Sequence, residues 1–107
     1  MREYTFFVGA SGPRAVAVVT DGSRSRQLPT CTGASVHDAV VACIRACLAT
    51  PLRDPAAPRT VVTNLTPARQ AVARDYPLEL GRTLLRAPTP EEADHIAHVK
   101  ALAGGSL

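Results

Sequence analysis

The stretch Ala15-Val16-Ala17-Val18-Val19-Thr20-Asp21-Gly22-Ser23-Arg24-Ser25-Arg26-Gln27-Leu28 decides how the chain begins to fold. Its first six residues are small or β-branched and apolar, which suits a strand. Asp21-Gly22 then signals a hairpin, because a type I′ turn needs positive φ at both central positions. Residues 24–28 return as a more polar strand. Upstream, residues 4–9 (Tyr-Thr-Phe-Phe-Val-Gly) are β-branched or aromatic and run into Ala10-Ser11-Gly12-Pro13, a turn signal. Three short antiparallel strands in a meander follow from this reading.

The downstream text changes period. Ser35 is placed to cap a helix whose apolar stripe is Val36, Val40, Ile44, Cys47 and Leu48, with Asp38 at its third position. Pro51 ends that helix by Thr50, and the three prolines 51, 55 and 58 make a loop. Residues 60–64 (Thr-Val-Val-Thr-Asn) read as a buried strand. Thr66-Pro67 is a cap followed by a first-turn proline, which predicts a second helix over 67–75. A turn at Gly81 precedes a strand at 83–86. Thr89-Pro90-Glu91-Glu92 repeats the cap-proline device and adds acids suited to the positive end of the helix dipole. That third helix runs to Ala103, ahead of Gly104-Gly105. The order β-β-β-α-β-α-β-α implies one α/β domain over residues 1–107, a mixed five-stranded sheet with helices on its faces.

Composition bounds the function. The chain has 107 residues, 46% apolar and 20% charged, near the globular averages, which rules out wholesale disorder. At this length folding buries roughly two-thirds of the unfolded surface, which sustains one core without staples. The 12 basic and 9 acidic residues leave +3, a mild attraction to polyanions. An aromatic content of 4% with no Trp argues against a base-stacking platform. The three cysteines form no CxxC pair, which argues against a disulfide framework. Met1-Arg2-Glu3-Tyr4 lacks the form of a secretory leader, and no apolar run reaches membrane-helix length. A cytoplasmic setting with no membrane partner is the expectation.

Two segments carry a family likeness. Residues 35–44 (Ser-Val-His-Asp-Ala-Val-Val-Ala-Cys-Ile) place an acid near a helix start, ahead of an apolar stripe. Residues 92–97 (Glu-Ala-Asp-His-Ile-Ala) place an acid beside Ala before the last apolar face. With the element order, these make the chain resemble the ribonuclease H-like superfamily over nearly its whole length. Active members of that family hold two divalent ions, normally magnesium, with four acids. Two close cations must be neutralised while they activate water and stabilise the leaving oxygen.

This chain departs from the pattern. The first strand ends in Val8-Gly9-Ala10-Ser11, with no carboxylate. The resemblance puts the second acid at Asp38, puts Asn64 at the third position and the last acid at Asp94. Two carboxylates oppose the +4 of two magnesium ions with only about −2. Asp21, in Val19-Thr20-Asp21-Gly22-Ser23, imitates the first-strand acid, but the dozen residues before Ser35 cannot hold two further strands. Asp38 reads equally well as a capping acid, and Asn64 as an ordinary strand-end residue.

Other groupings point to packing and surface chemistry. Cys43 and Cys47 share the helical stripe and read as small buried hydrophobes. Cys31 and His37 have no orienting partner for nucleophilic catalysis. Glu92 with His95, or Asp94 with His98, share a helical face at metal-ligand spacing, although solvated helix surface accounts for them better. Arg14, Arg24 and Arg26 make the hairpin basic, whereas the segment after residue 86 holds one Lys against three acids. Such a hairpin suits phosphate contacts of a salt-dependent kind, or simply protects an edge strand from pairing.

The expectation is therefore a catalytically inactive ribonuclease H-like domain acting by nucleic-acid binding through Arg14, Arg24 and Arg26, or by protein association. It needs no cofactor and no metal. Two alternatives stand beside it: a magnesium-dependent nuclease built on Asp38 and Asp94, and a homodimeric module with no nucleic-acid role.

Overall fold

The computed structural model describes residues 3–54, 56–75 and 83–104. The meander forms first along the chain. Strand β1 (Tyr4–Ser11) pairs antiparallel with β2 (Arg14–Thr20), in register from Thr5 opposite Thr20 to Ser11 opposite Arg14. Only Gly12 and Pro13 separate the strands. Gly12 has φ +59°, as the first central residue of a type II′ turn requires, and the fixed negative φ of Pro13 suits the second.

At the other end of β2 the hairpin signal at Asp21-Gly22 is real, but the turn is not type I′. Gly22 alone has positive φ there, and the loop spans four residues between Thr20 and Ser25. Oδ1 of Asp21 accepts from the amides of Ser23 and Arg24 and from the Ser23 hydroxyl, each at 3.0 Å. This side chain substitutes for the tighter turn. The returning strand is also broken. β3 (Ser25–Gln27) and β4 (Cys31–Thr32) both pair antiparallel with β2, on either side of Pro29. Proline has no amide hydrogen to give to the ladder. Among the described residues the sheet accordingly has six strands rather than five.

Helix α1 (Val36–Ala49) opens as its sequence requires, with Ser35 Oγ accepting from the Asp38 amide at 3.1 Å. β5 (Arg59–Val62) then lies parallel to β1, with Phe7 opposite Val62. It is shorter than the 60–64 predicted, although the Thr63 amide still reaches the Arg86 carbonyl at 3.2 Å. Helix α2 (Thr66–Asp75), strand β6 (Thr83–Arg86), parallel to β5, and helix α3 (Pro90–Ala103) complete the order. The predicted turn at Gly81 and the residue Gly105 lie outside the described residues. The path across the sheet is β3-β2-β1-β5-β6, with β4 also on β2.

Alternation along β1 and β2 gives each face its own core. Tyr4, Phe6, Val8, Ala15, Ala17 and Val19 pack with α1 and α2 on one face. Phe7, Val16 and Val62 pack with Ile96, Val99 and Ala103 of α3 on the other. Gly9 points to the second face, where the α3 backbone rests on it. A β-carbon there would fall within 2.8 Å of the Val99 carbonyl carbon and closer still to the Lys100 amide.

Gly9→Ala must push α3 off the sheet. The expected cost is about 1–3 kcal/mol, read as a lower midpoint in urea with an unchanged slope. Full retention of stability would show that the helix does not rest on Gly9.

Candidate functional site

The ends of the sheet differ in chemistry. At the end where β1 finishes, the β1–β2 turn meets the start of α1, since the Gly33 amide donates to the Pro13 carbonyl at 3.0 Å. Gly33 in turn lies against the first turn of α1, where a β-carbon would sit 2.7 Å from the Asp38 carbonyl carbon. Ala10 is half-buried against the α1-side core, and Asp38 is exposed in the first turn of α1. Asn64 is exposed just beyond the end of β5. These three positions lie toward one end of the sheet.

Asp94 does not join them. Helix α3 covers the opposite face and runs alongside β1. The His95 ring meets Phe7 edge-on at 4.5 Å, while Gly104 lies by Ser11. Ten residues of helix, about 15 Å, therefore separate Asp94 from the level of Ser11. Asp94 also stands about 200° around the helix from buried Ile96, so it faces away from the sheet. The sheet itself lies between Asp94 and Asp38. Among the described residues no three His, Cys, Asp or Glu side chains are grouped to hold a metal ion.

Glu92 is committed elsewhere. Its two oxygens accept from Arg86, at 2.6 and 2.9 Å, and Oε1 also accepts from the Thr89 amide. Thr89 Oγ1 accepts from the Glu92 amide, closing a capping box. The Arg86 hydrogen bonds, helped by Thr89 and opposed by burial, hold the Glu92 carboxyl at about 2. A carboxyl lowered by folding stabilises the folded state above its unfolded value and loses that effect as pH falls through the folded one. Glu92→Gln is expected to cost about 1 kcal/mol at pH 7. The gap from the parent protein should narrow from pH 4.5 downward and close only below pH 2; a gap undiminished at pH 2 in urea titrations would refute this role.

The cysteines pack together in the α1-side core. Cys43 and Cys47 are buried, and Cys31 is half-buried beside them. Burial first, and the nearby Cys43 second, push the Cys31 thiol up to about 11. The neighbouring Cys47 thiol, with burial, drives Cys43 upward too. Near pH 8, Cys31 should react with a disulfide reagent roughly 100-fold more slowly than a free thiol. Cys43 and Cys47 should react only on unfolding; fast titration of all three in the native protein would contradict the packing.

At the other end of the sheet, where β1 and β5 start, the surface is basic. A cleft of about 730 Å³ runs between the β2–β3 hairpin and the segment after α1, and its lining carries three cations, Arg24, Arg26 and Arg53, against one acid, Asp21, beside Tyr4, Pro51 and Leu52. Arg26 stands opposite Val19, on the α1 side of the sheet. Arg14 does not reach the cleft, since it starts β2, five residues before Val19, or about 17 Å. Sequence reading named Arg24 and Arg26 but missed Arg53, which only the tertiary fold brings alongside them.

The end of α1, from which the wall carrying Arg53 continues, is held by Arg59. Its Nη1 donates to the carbonyls of Cys47, Leu48 and Thr50, at 2.6, 3.0 and 3.1 Å. These belong to the end of α1, where backbone acceptors run out of helical partners. The same guanidinium lies 5.8 Å from the centroid of the Phe6 ring. Desolvation lowers the Arg59 pKa, and the contact with the helix end compensates for its partial burial.

No protein-family model matches the chain, and a search of curated proteins finds no relative. The fold is that of an α/β domain, with a mixed six-stranded sheet and three helices among the described residues. No helix among the described residues is long and apolar enough to cross a membrane.

Proposed function

We propose that this chain is a ribonuclease H-like domain that binds nucleic acid through phosphate contacts on its basic hairpin and does not hydrolyse it. The strand order supports the likeness: an antiparallel meander, then two strands parallel to β1 on its other side, with α1 and α2 on one face and α3 on the other. The observation that carries the non-hydrolytic reading is the separation of charges. Arg24 and Arg26 lie at the end of the sheet opposite Ala10, Asp38 and Asn64. A strand held by these arginines is not presented to the acids, and Asp94 faces away from both.

Gel shifts at low salt with single- and double-stranded probes test the binding. A shift at micromolar protein that fades as salt rises is expected. Absence of any shift, with a stable dimer by light scattering, would favour the homodimeric module instead. Incubation with magnesium and an RNA–DNA hybrid should give no cleavage. Cleavage abolished in both Asp38→Ala and Asp94→Ala would establish the nuclease alternative and refute this reading.

A further inference from the structure

We infer that the cleft between the β2–β3 hairpin and the segment after α1 seats the phosphates of a single-stranded nucleic acid, with Arg24, Arg26 and Arg53 as its three phosphate ligands. The inference rests on the nucleic-acid reading above and gives it a location, a third residue and a strand preference. The three arginines line one cleft, and none has a carboxylate partner among the described residues. Arginine suits this task because its planar fork meets phosphate oxygens in pairs.

The acids at the cleft, Asp21 in its lining and Asp54 beside Arg53, are engaged in local turns. Asp21 Oδ1 accepts three hydrogen bonds within its own loop, and Asp54 Oδ1 accepts from the Ala56 amide at 3.2 Å. Ser23 and Ser25, exposed on the hairpin, add hydroxyl donors at the cleft. Opposite them Pro51 and Leu52 form an apolar wall, and the cleft reaches down to nearly buried Tyr4 and Val19.

Shape selects the single strand. A volume of about 730 Å³ lies within the range of small-ligand sites, roughly 300–1,000 Å³. A short run of unpaired chain can enter such a cleft, with its phosphates on the arginines and its sugars against Pro51 and Leu52. A duplex is a stiff rod that can touch only the rim. The fold holds the two walls in place independently of ligand: the Asp21 turn fixes Arg24, and the Arg59 bonds to the end of α1 fix the approach to Arg53.

The test is fluorescence anisotropy of the full chain with a labelled ten-nucleotide single strand and the matching duplex, between 50 and 200 mM salt. Three phosphate contacts on a single strand predict a slope of log affinity against log salt near −2, about a 20-fold loss over that range. Arg24→Ala, Arg26→Ala and Arg53→Ala should each weaken binding and reduce the slope by about 0.7. All three side chains are exposed, and unchanged melting temperatures would verify that the variants fold. Arg74→Ala, which removes the same charge from α2, should bind like the parent.

Several outcomes would overturn the cleft while leaving the proposed function intact. They are tighter binding to the duplex, no effect of Arg53→Ala, or a loss in Arg14→Ala as large as in Arg53→Ala. Pyrophosphate that displaces the strand at or below the strand's own dissociation constant would instead assign the cleft to free phosphates. No binding of the parent to either probe at 50 mM salt would remove both the cleft and the function it rests on.

Discussion

A strand buried on both faces must find two covers, and β1 is such a strand. Phe6 and Val8 point to α1 and α2, while Phe7 and Gly9 point to α3. Removing either cover would expose aromatic and branched side chains that have no other partner. The doubly apolar centres of β2 and β5 obey the same requirement, which is why they read as continuous apolar runs rather than strict alternation. Gly9 sharpens the constraint, because α3 approaches its side of the sheet so closely that only a hydrogen fits. The helix thereby takes its direction along β1, and with it the outward orientation of Asp94.

A second requirement shapes the opposite end. The final carbonyls of α1 have no helical donors, and the chain meets that need with a residue from the next strand. Arg59 reaches back ten residues or so to three of those carbonyls and lies over Phe6. One half-buried cation thus joins a helix end, a strand start and the core. Its position also shapes the wall on which Arg53 is displayed, so a packing interaction and a surface site share one anchor.

Much of this was legible before any coordinates. Thr89-Pro90-Glu91-Glu92 announced a capped helix, and the structure has the full capping box there. Pro51 stopped α1, and the apolar stripe through Val40, Ile44 and Cys47 named its buried face. Local chemistry misled where tertiary geometry had more than one solution. Asp21-Gly22 permits a two-residue turn, but the Asp21 side chain and the reach to Ser25 chose a longer one. Pro29 should have warned that the third strand would break, yet the chain resumes pairing at Cys31, outside the stretch expected to pair. The proposed cleft was half visible: Arg24 and Arg26 are neighbours in sequence, while Arg53 lies across a helix and joins them only through the fold. No periodicity encodes that proximity. The rotation of α3 was encoded in the spacing of Ile96, Val99 and Ala103, which already places Asp94 on the far side.

The two covers of β1 also differ in when they can arrive. The buried residues of the α1-side core all fall within residues 4–72, and only half-buried Leu85 joins them later, so most of that core can assemble from contacts already synthesised. The other face waits for Ile96, Val99 and Ala103. As the chain leaves a ribosome, from its N-terminus onward, Phe7, Val16 and Val62 remain open to solvent until almost the whole of α3 has emerged. Until then a nascent domain of this design can cover only one face of its sheet. Its vulnerability to misassociation is concentrated on one face, at one late stage of synthesis.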